Sequence, residues 1–307
     1  MIINASQRTD IPSFYSEWFY NRVREGFVCV RNPFNTSSVV RYKISPSAVD
    51  GIIFTTKNPR PMISTLSCIS SYNPYFFVTI TPYESDIEPN VPHYADAASS
   101  LISLSAIVGK NALCWRYDPV LITEKYSISY HIKVFTELCK ILENSVSSCT
   151  LSFVQLYDKT KRNFPGIREV HMDEKIELLS HIVPAALKYG IRVKTCAVPD
   201  ELTIEGLQKE GCITRSVFES FTGIRVPRMS GGAKRKNCLC DLPTRDIGEY
   251  NSCLHGCLYC YANYDHKLVK KNYEHHDPSS PILIGSIKGL EIKDAEQESY
   301  KAQLGLF

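Results

Sequence analysis

Three cysteines near the C-terminal end, in Cys253-Leu254-His255-Gly256-Cys257-Leu258-Tyr259-Cys260, are separated by three and then two residues. A loop with that spacing can turn three thiolates toward one point and hold a single metal centre. A cubane 4Fe-4S cluster takes four thiolates, so a loop that offers three leaves one iron open to a ligand from solution. The same residue types suit a tetrahedral structural zinc ion, and spacing alone leaves both readings open. Gly256 permits a tight loop between the ligands, Tyr259 sets an aromatic ring beside the third cysteine, and His255 is not needed as a ligand.

Four more cysteines precede this loop: Cys196, Cys212 and the pair Cys238-Leu239-Cys240. One intervening residue keeps both thiols of the pair within reach of a common metal. With Cys196 and Cys212 the set reaches the four thiolates of a closed second 4Fe-4S cluster or a structural zinc ion. The other five of the 12 cysteines, Cys29, Cys68, Cys114, Cys139 and Cys149, stand singly among apolar neighbours and read as core positions.

These loops need a scaffold. Short β-type runs are expected at residues 2–6, 51–56, 75–81, 112–116, 150–156 and 191–196. Helical spacing of apolar residues falls between them at 12–25, 128–142, 172–189 and 202–209, with Gly26 and Gly190 as stop signals. Strand and helix in alternation predict an α/β fold with a parallel sheet, read as a (β/α) TIM-like barrel, permuted or partial. Each strand run ends in polar residues: Ser6, Arg8 and Asp10; Thr56, Lys57 and Asn58; Thr79, Thr81 and Tyr83; Arg116, Tyr117 and Asp118; Gln155, Tyr157 and Asp158; Lys194 and Cys196. In a barrel these ends gather at one mouth, which Arg8, Lys57, Arg116 and Lys194 would make electropositive and suited to an anionic ligand. The expected division is a barrel over 1–230, a cysteine-rich segment completing it over 231–275, and a tail over 276–307. Within it, Lys234-Arg235-Lys236 after Gly231-Gly232 reads as a mobile basic loop, and residues 294–303 as a polar surface helix. Asn272, His275, His276, Asp277, Ser279 and Ser280 would approach the mouth if the chain folds back over it.

Composition narrows the class. With 44% hydrophobic and 22% charged residues in 307, the chain has ample material for a core. A net charge of +3 permits a nucleic-acid partner without implying one. No apolar run reaches membrane-spanning length, and the first residues lack the pattern of a secretion signal, so a cytoplasmic protein with no membrane partner is expected. In that compartment 12 cysteines point to metal or catalysis rather than to a disulfide framework.

The Cys253, Cys257, Cys260 motif, with Tyr259 before the last cysteine and Tyr261-Ala262-Asn263 after it, resembles the signature of the radical S-adenosylmethionine superfamily. The resemblance implies that these cysteines hold a 4Fe-4S cluster whose open iron chelates S-adenosylmethionine, and that Tyr259 and Asn263 lie beside that cofactor. It also implies a 5′-deoxyadenosyl radical that abstracts hydrogen from the substrate, and an electron donor such as flavodoxin or ferredoxin. Members carry the motif after the first barrel strand, whereas here the barrel must precede it, which implies a permuted order. Ser6, Arg8 and Asp10 then stand by position where the superfamily places its contacts to the methionine end of the cofactor. The loop is also similar to that of spore photoproduct lyase and its relatives, so nucleic acid and a small anionic metabolite both stand as substrate classes. Four phrases, Ser6-Gln7-Arg8-Thr9-Asp10-Ile11-Pro12, Thr56-Lys57-Asn58-Pro59, Trp115-Arg116-Tyr117-Asp118-Pro119 and Asp246-Ile247-Gly248-Glu249-Tyr250, resemble an uncharacterised bacterial and archaeal family classed as a domain of unknown function. The alternative function is a non-catalytic barrel, stabilised by zinc or iron-sulfur, that binds a ligand or nucleic acid.

Overall fold

A computed structural model describes residues 1–195, 197–227, 237–296 and 299–301. The first strand, β1 (Ile2–Asn4), leads through a polar loop into α1 (Ile11–Phe14) and α2 (Ser16–Glu25). Asp10 caps α1 by accepting from the Ser13 amide at 3.1 Å. The helix expected over 12–25 is therefore two, broken at Tyr15, and Gly26 ends the second in the left-handed conformation that glycine adopts without strain. A hairpin of β2 (Phe27–Arg31) and β3 (Ser38–Lys43) follows, then β4 (Gly51–Thr56), α3 (Arg60–Ile63), β5 (Pro74–Thr79) and α4 (Tyr94–Val108). Next come β6 (Leu113–Val120), α5 (Ile128–Leu142), β7 (Ser148–Phe153), α6 (Asp158–Asn163), α7 (Met172–Lys188) and β8 (Arg192–Thr195). The chain continues through β9 (Gln208–Lys209), α8 (Arg215–Thr222), β10 (Arg245–Asp246), α9 (His266–Glu274) and β11 (Glu291–Asp294).

Eight strands form one sheet in the order β10-β1-β4-β5-β6-β7-β8-β9, every neighbouring pair parallel. Chain order is kept throughout except that β10, late in sequence, lies outside β1. Among the described residues β9 and β10 are the two edges and do not pair, so this is an open sheet and no closed barrel is found. Alternate residues divide its faces. Ile3, Ile52, Phe54, Phe76, Val78, Trp115 and Leu151 enter the main core under the helices, where Trp115 stacks on Phe135 of α5 at 4.8 Å. Ile2, Ile53, Tyr75, Phe77 and Cys114 point the other way and pack with Phe218 of α8. Phe218 fills the notch left by Gly51, where a Cβ would stand 2.4 Å from its ring. Burial of such a ring contributes about 1.5–3 kcal/mol, which pins α8 beneath the starts of β4 and β5.

The remaining strands form a smaller sheet, β11-β3-β2, with β11 parallel to β3. Residues 281–294 therefore belong to the structured body; of the helix expected over 294–303, Asp294 ends a strand, residues 295–296 are not helical, and 297–298 and 302–303 lie outside the described residues. The helix expected over 202–209 is also absent: residues 203–207 are loop and turn, and Gln208–Lys209 extend the large sheet. The Lys234-Arg235-Lys236 loop and Cys196 lie outside the described residues. No described helix is long and apolar enough to cross a membrane.

Candidate metal centre

The C-terminal ends of β1, β4, β5, β6 and β7 open on a cavity of about 1190 Å³. Cys253, Cys257 and Cys260 all line it, with Tyr259, His255 and Tyr261 from the same loop. Two features let the loop turn so tightly. Asn251 and Gly256 adopt positive φ, 55° and 73°, and Asn263 folds its side-chain amide back onto the Cys253 carbonyl at 2.5 Å.

The loop is held from two sides by partners distant in sequence. On one side, the Asn90 amide donates to the His255 carbonyl at 3.0 Å, its side chain to the Leu254 carbonyl at 2.8 Å, and the Leu258 amide to the Ile87 carbonyl at 3.0 Å. On the other, the Thr160 hydroxyl and Lys159 ammonium of α6 donate to the Tyr259 and Tyr261 carbonyls at 3.3 and 3.4 Å.

Beneath it lie two buried ionic groups. His255 Nε2 meets the Asp10 carboxylate at 2.8 Å, and Asp10 also accepts from the Lys57 amide at 2.8 Å. Burial raises the Asp10 carboxyl, but the bond to His255, its charge and the Lys57 amide outweigh that and leave it below the usual range. Glu88, 1% exposed, accepts from Lys57 Nζ and the Thr81 hydroxyl, both at 2.8 Å, and from the Tyr259 hydroxyl. Tyr259 is thus anchored by its hydroxyl while its ring lines the cavity beneath Lys57 Nζ, 5.8 Å away.

The thiols are raised accordingly. Burial lifts Cys253 well above its ordinary value, with the charges of Asp10, Cys260 and Cys257 adding to it. Cys257 is raised by burial and by Glu88, and Cys260 by burial, partly offset by the Ala262 amide on its sulfur at 3.3 Å. Three mutually repelling sulfurs on one cavity wall are a donor set that a cation would hold as thiolates, and this fits an iron-sulfur cluster, in which each thiolate takes a different iron. Among the described residues no three His, Cys, Asp or Glu side chains are gathered as a ligand set for a single metal ion.

Of the cations expected at the mouth, Arg8, Lys57 and Arg116 line the cavity and Lys194 does not, and all four are individually balanced. Arg8 is paired with Asp246, Lys57 with Glu88, Arg116 with Asp118, and Lys194 with Glu210. The mouth is therefore set with ion pairs rather than an electropositive field: Arg8 and Lys57 take their carboxylates from a neighbouring strand and loop, and Arg116 takes its own from two residues on in β6. Four polar atoms buried on the cavity wall have no partner: Asn4 Oδ1, Ser6 Oγ, Thr9 Oγ1 and Arg116 Nε. Buried polar atoms are satisfied in the great majority of cases, so this concentration marks a place built to meet a ligand.

Of the other expected residues, Ser6, Arg8 and Asp10 line the cavity, whereas Asn263 is buried behind it. Cys212, Cys238 and Cys240 also line it, half-buried, and Cys196 is not among the described residues. Ser279 and Ser280 instead bind α2 through their carbonyls, to Arg22 at 2.7 Å and Trp18 at 2.8 Å, and His276 packs on Tyr15 at 4.7 Å. Glu88 was not expected, and Asp118 only as part of a polar strand end. The signal for Glu88 was slight, one of three alternating acidic residues, Glu84, Asp86 and Glu88, in one loop.

Fold and site together define an α/β protein whose parallel sheet carries a three-cysteine loop over a polar cavity. The chain belongs to the family described as Domain of unknown function (DUF1848), whose family model matches residues 2–262. No curated protein and no solved structure matches it.

Proposed function

We propose that this protein is a radical S-adenosylmethionine enzyme, with Cys253, Cys257 and Cys260 as the ligands of a 4Fe-4S cluster. The observation that carries the reading is that all three motif thiols line one cavity together with the unpartnered atoms of Asn4, Ser6 and Thr9. The strand order, with β10 set outside β1 and the cysteine loop following β10, supports a (β/α) barrel in permuted order, left open between β9 and β10.

Cys253, Cys257 and Cys260 would hold the cluster, which with S-adenosylmethionine bound would supply one-electron cleavage of the sulfonium and, through it, hydrogen-atom abstraction. The chain's own residues do the rest. Asp10 and Glu88, through His255 and Tyr259, hold the loop against the sheet. Ser6, Thr9 and Asn4, at the end of β1, offer the polar contacts for the cofactor, and Arg8, fixed by Asp246 and lying 5.5 Å from the Tyr250 ring, shapes the wall beside them. Arg116, Asp118 and Ser152 face the same cavity from β6 and β7 and are the groups assigned to the substrate. The substrate class is a small molecule or a nucleic acid, and the cluster would need an electron donor of flavodoxin or ferredoxin type.

Anaerobically reconstituted and reduced protein, given S-adenosylmethionine, is expected to form 5′-deoxyadenosine, and Cys257→Ala to abolish it. Zinc at the three-cysteine loop with no deoxyadenosine would establish the non-catalytic, metal-stabilised alternative instead.

A further inference from the structure

The cavity wall continues past its own lip as a run of tyrosines. Tyr157 and Tyr261 line the cavity, with ring centres 6.2 Å apart. Beyond them Tyr250 and Tyr264 gather around Lys159, whose ammonium donates to the Tyr261 carbonyl and stands 5.3 and 4.7 Å from the centres of their rings. Each of the four rings is 37–46% exposed, although side chains of this size usually withdraw their apolar bodies from water. None of them is loose. Tyr261 donates its hydroxyl to the Gln7 carbonyl and Tyr157 to the Gln155 side chain at 2.9 Å, while Lys159 and Arg8 hold Tyr250, and Lys159 holds Tyr264, by cation–π contact. The cations here differ from those inside the cavity. Among the described residues Lys159 has no carboxylate partner, and neither has Arg162, exposed three residues on along the same face of α6.

We infer that this rim binds single-stranded nucleic acid, which singles out one of the two substrate classes above; the inference rests on the cavity being the reaction site. A single strand presents two things at once, base faces free to stack and a backbone of negative charge. Fixed, half-open rings interleaved with unpaired cations answer both. A duplex keeps its bases stacked on one another and leaves the rings without a partner. A metabolite held inside the cavity touches neither Tyr250 nor Tyr264, which lie outside its lining. An extended strand reaches them. Its flanking bases stack on the rim, its phosphates pass Lys159 and Arg162, and one nucleotide enters the cavity toward Arg116, Asp118 and Ser152. The ion-paired cavity wall then has no backbone charge to carry, because that charge is met outside it.

Binding is measured apart from catalysis, on the full chain under anaerobic conditions, by fluorescence anisotropy of labelled probes of about 12 nucleotides, within the usual span of a single-strand site. Oligodeoxythymidylate and oligouridylate are expected to bind, their ratio showing whether the sugar is read, and a duplex of the same length to bind more weakly. An abasic oligomer, which keeps the phosphates and lacks the bases, is also expected to bind more weakly. Tyr250→Ala and Tyr264→Ala should each weaken the single strand about five- to a hundredfold, whereas Tyr264→Phe, which keeps the ring, should bind as the parent does. Arg162→Gln, at an exposed position, should reduce the slope of log affinity against log salt by about 0.7, the share of one phosphate contact. Equal affinity for the abasic oligomer, tighter binding of the duplex, or no binding of either single strand would overturn the assignment. Deoxyadenosine formed by protein that binds no oligonucleotide would leave the radical reading in place and remove only this one. Strand binding without deoxyadenosine would keep the rim and remove the radical chemistry.

Discussion

At the scale of single residues, the cavity floor depends on a charge pair that is costly to break and easy to remove whole. Lys57 and Glu88 are 11% and 1% exposed in their side chains, so neither charge can be solvated if the other is lost. Breaking such a pair from one side typically costs about 3–5 kcal/mol, whereas replacing both partners is often close to neutral. Glu88→Gln should therefore destabilise the protein by about 3 kcal/mol in urea unfolding, although glutamine keeps an acceptor for Tyr259 and Thr81. Adding Lys57→Met should recover most of the loss. Equal destabilisation of the single and double variants would show that the hydrogen bonds, not the charges, matter here. The pair also shows what a sequence reading can reach at this scale. Cys253, Cys257 and Cys260 are legible because their spacing is local and their chemistry narrow. Glu88 meets Tyr259 across most of the chain, and no local pattern marks an acidic loop residue as buried.

At the scale of elements, legibility followed periodicity. Strands β4 and β5 and helices α5 and α7 were found because apolar runs or stripes end in clear stop signals. Helix α4 was missed because its buried face is built largely of Ala97, Ala98 and Ser100, which carry little hydrophobic contrast. The hairpin of β2 and β3 was missed because both strands are short and β3 fully buries only Val39, which leaves little apolar contrast. The helix expected over 202–209 failed because its apolar spacing is short and the sheet edge captured its last residues. One joint between correctly placed elements has a measurable consequence. His131 of α5 is fully buried, with Nε2 facing the Leu121 carbonyl at 2.9 Å and Nδ1 facing the Tyr117 hydroxyl at 2.8 Å. Burial lowers its pKa from 6.5 to about 4, the Leu121 carbonyl only partly opposing this. Because the folded value is the lower one, the unfolded chain binds the extra proton between these limits. The contribution is complete above pH 6.5 and is lost as pH falls toward 4, to the extent of roughly 3 kcal/mol. His131→Gln should be less stable at neutral pH by about 1–2 kcal/mol through the lost Tyr117 bond. Its stability should then fall less steeply than the wild type's between pH 6.5 and 4, and parallel curves would assign the acid sensitivity to other groups.

At the scale of the whole molecule, the expected division into barrel, cysteine-rich segment and tail meets a core that crosses all three. The main core joins Ile3 and Trp115 to Ile247, Leu283 and Ile284. Strand β11 pairs with β3, Trp18 donates to the Ser280 carbonyl, and Asp50 accepts from the Ser299 hydroxyl at 2.6 Å. The apolar run Ile282, Leu283 and Ile284, all buried, was the local signal that this segment docks, but nothing local names the distant strands and helices it docks against. The two tryptophans are placed to test it. Trp115 lies in the sheet beneath α5, and Trp18 lies on α2 against the C-terminal segment, both 0% exposed. If sheet and C-terminal segment unfold as one cooperative unit, Trp18→Phe and Trp115→Phe should each give a fluorescence transition in urea coincident with that protein's own far-ultraviolet dichroism. Both variants lose buried contacts and will have lower midpoints than the parent, so the comparison is made between probes within each protein. A Trp18 signal that melts ahead of the dichroism in Trp115→Phe would mean that the segment after α9 detaches first, and that the cysteine loop is held to the sheet without it.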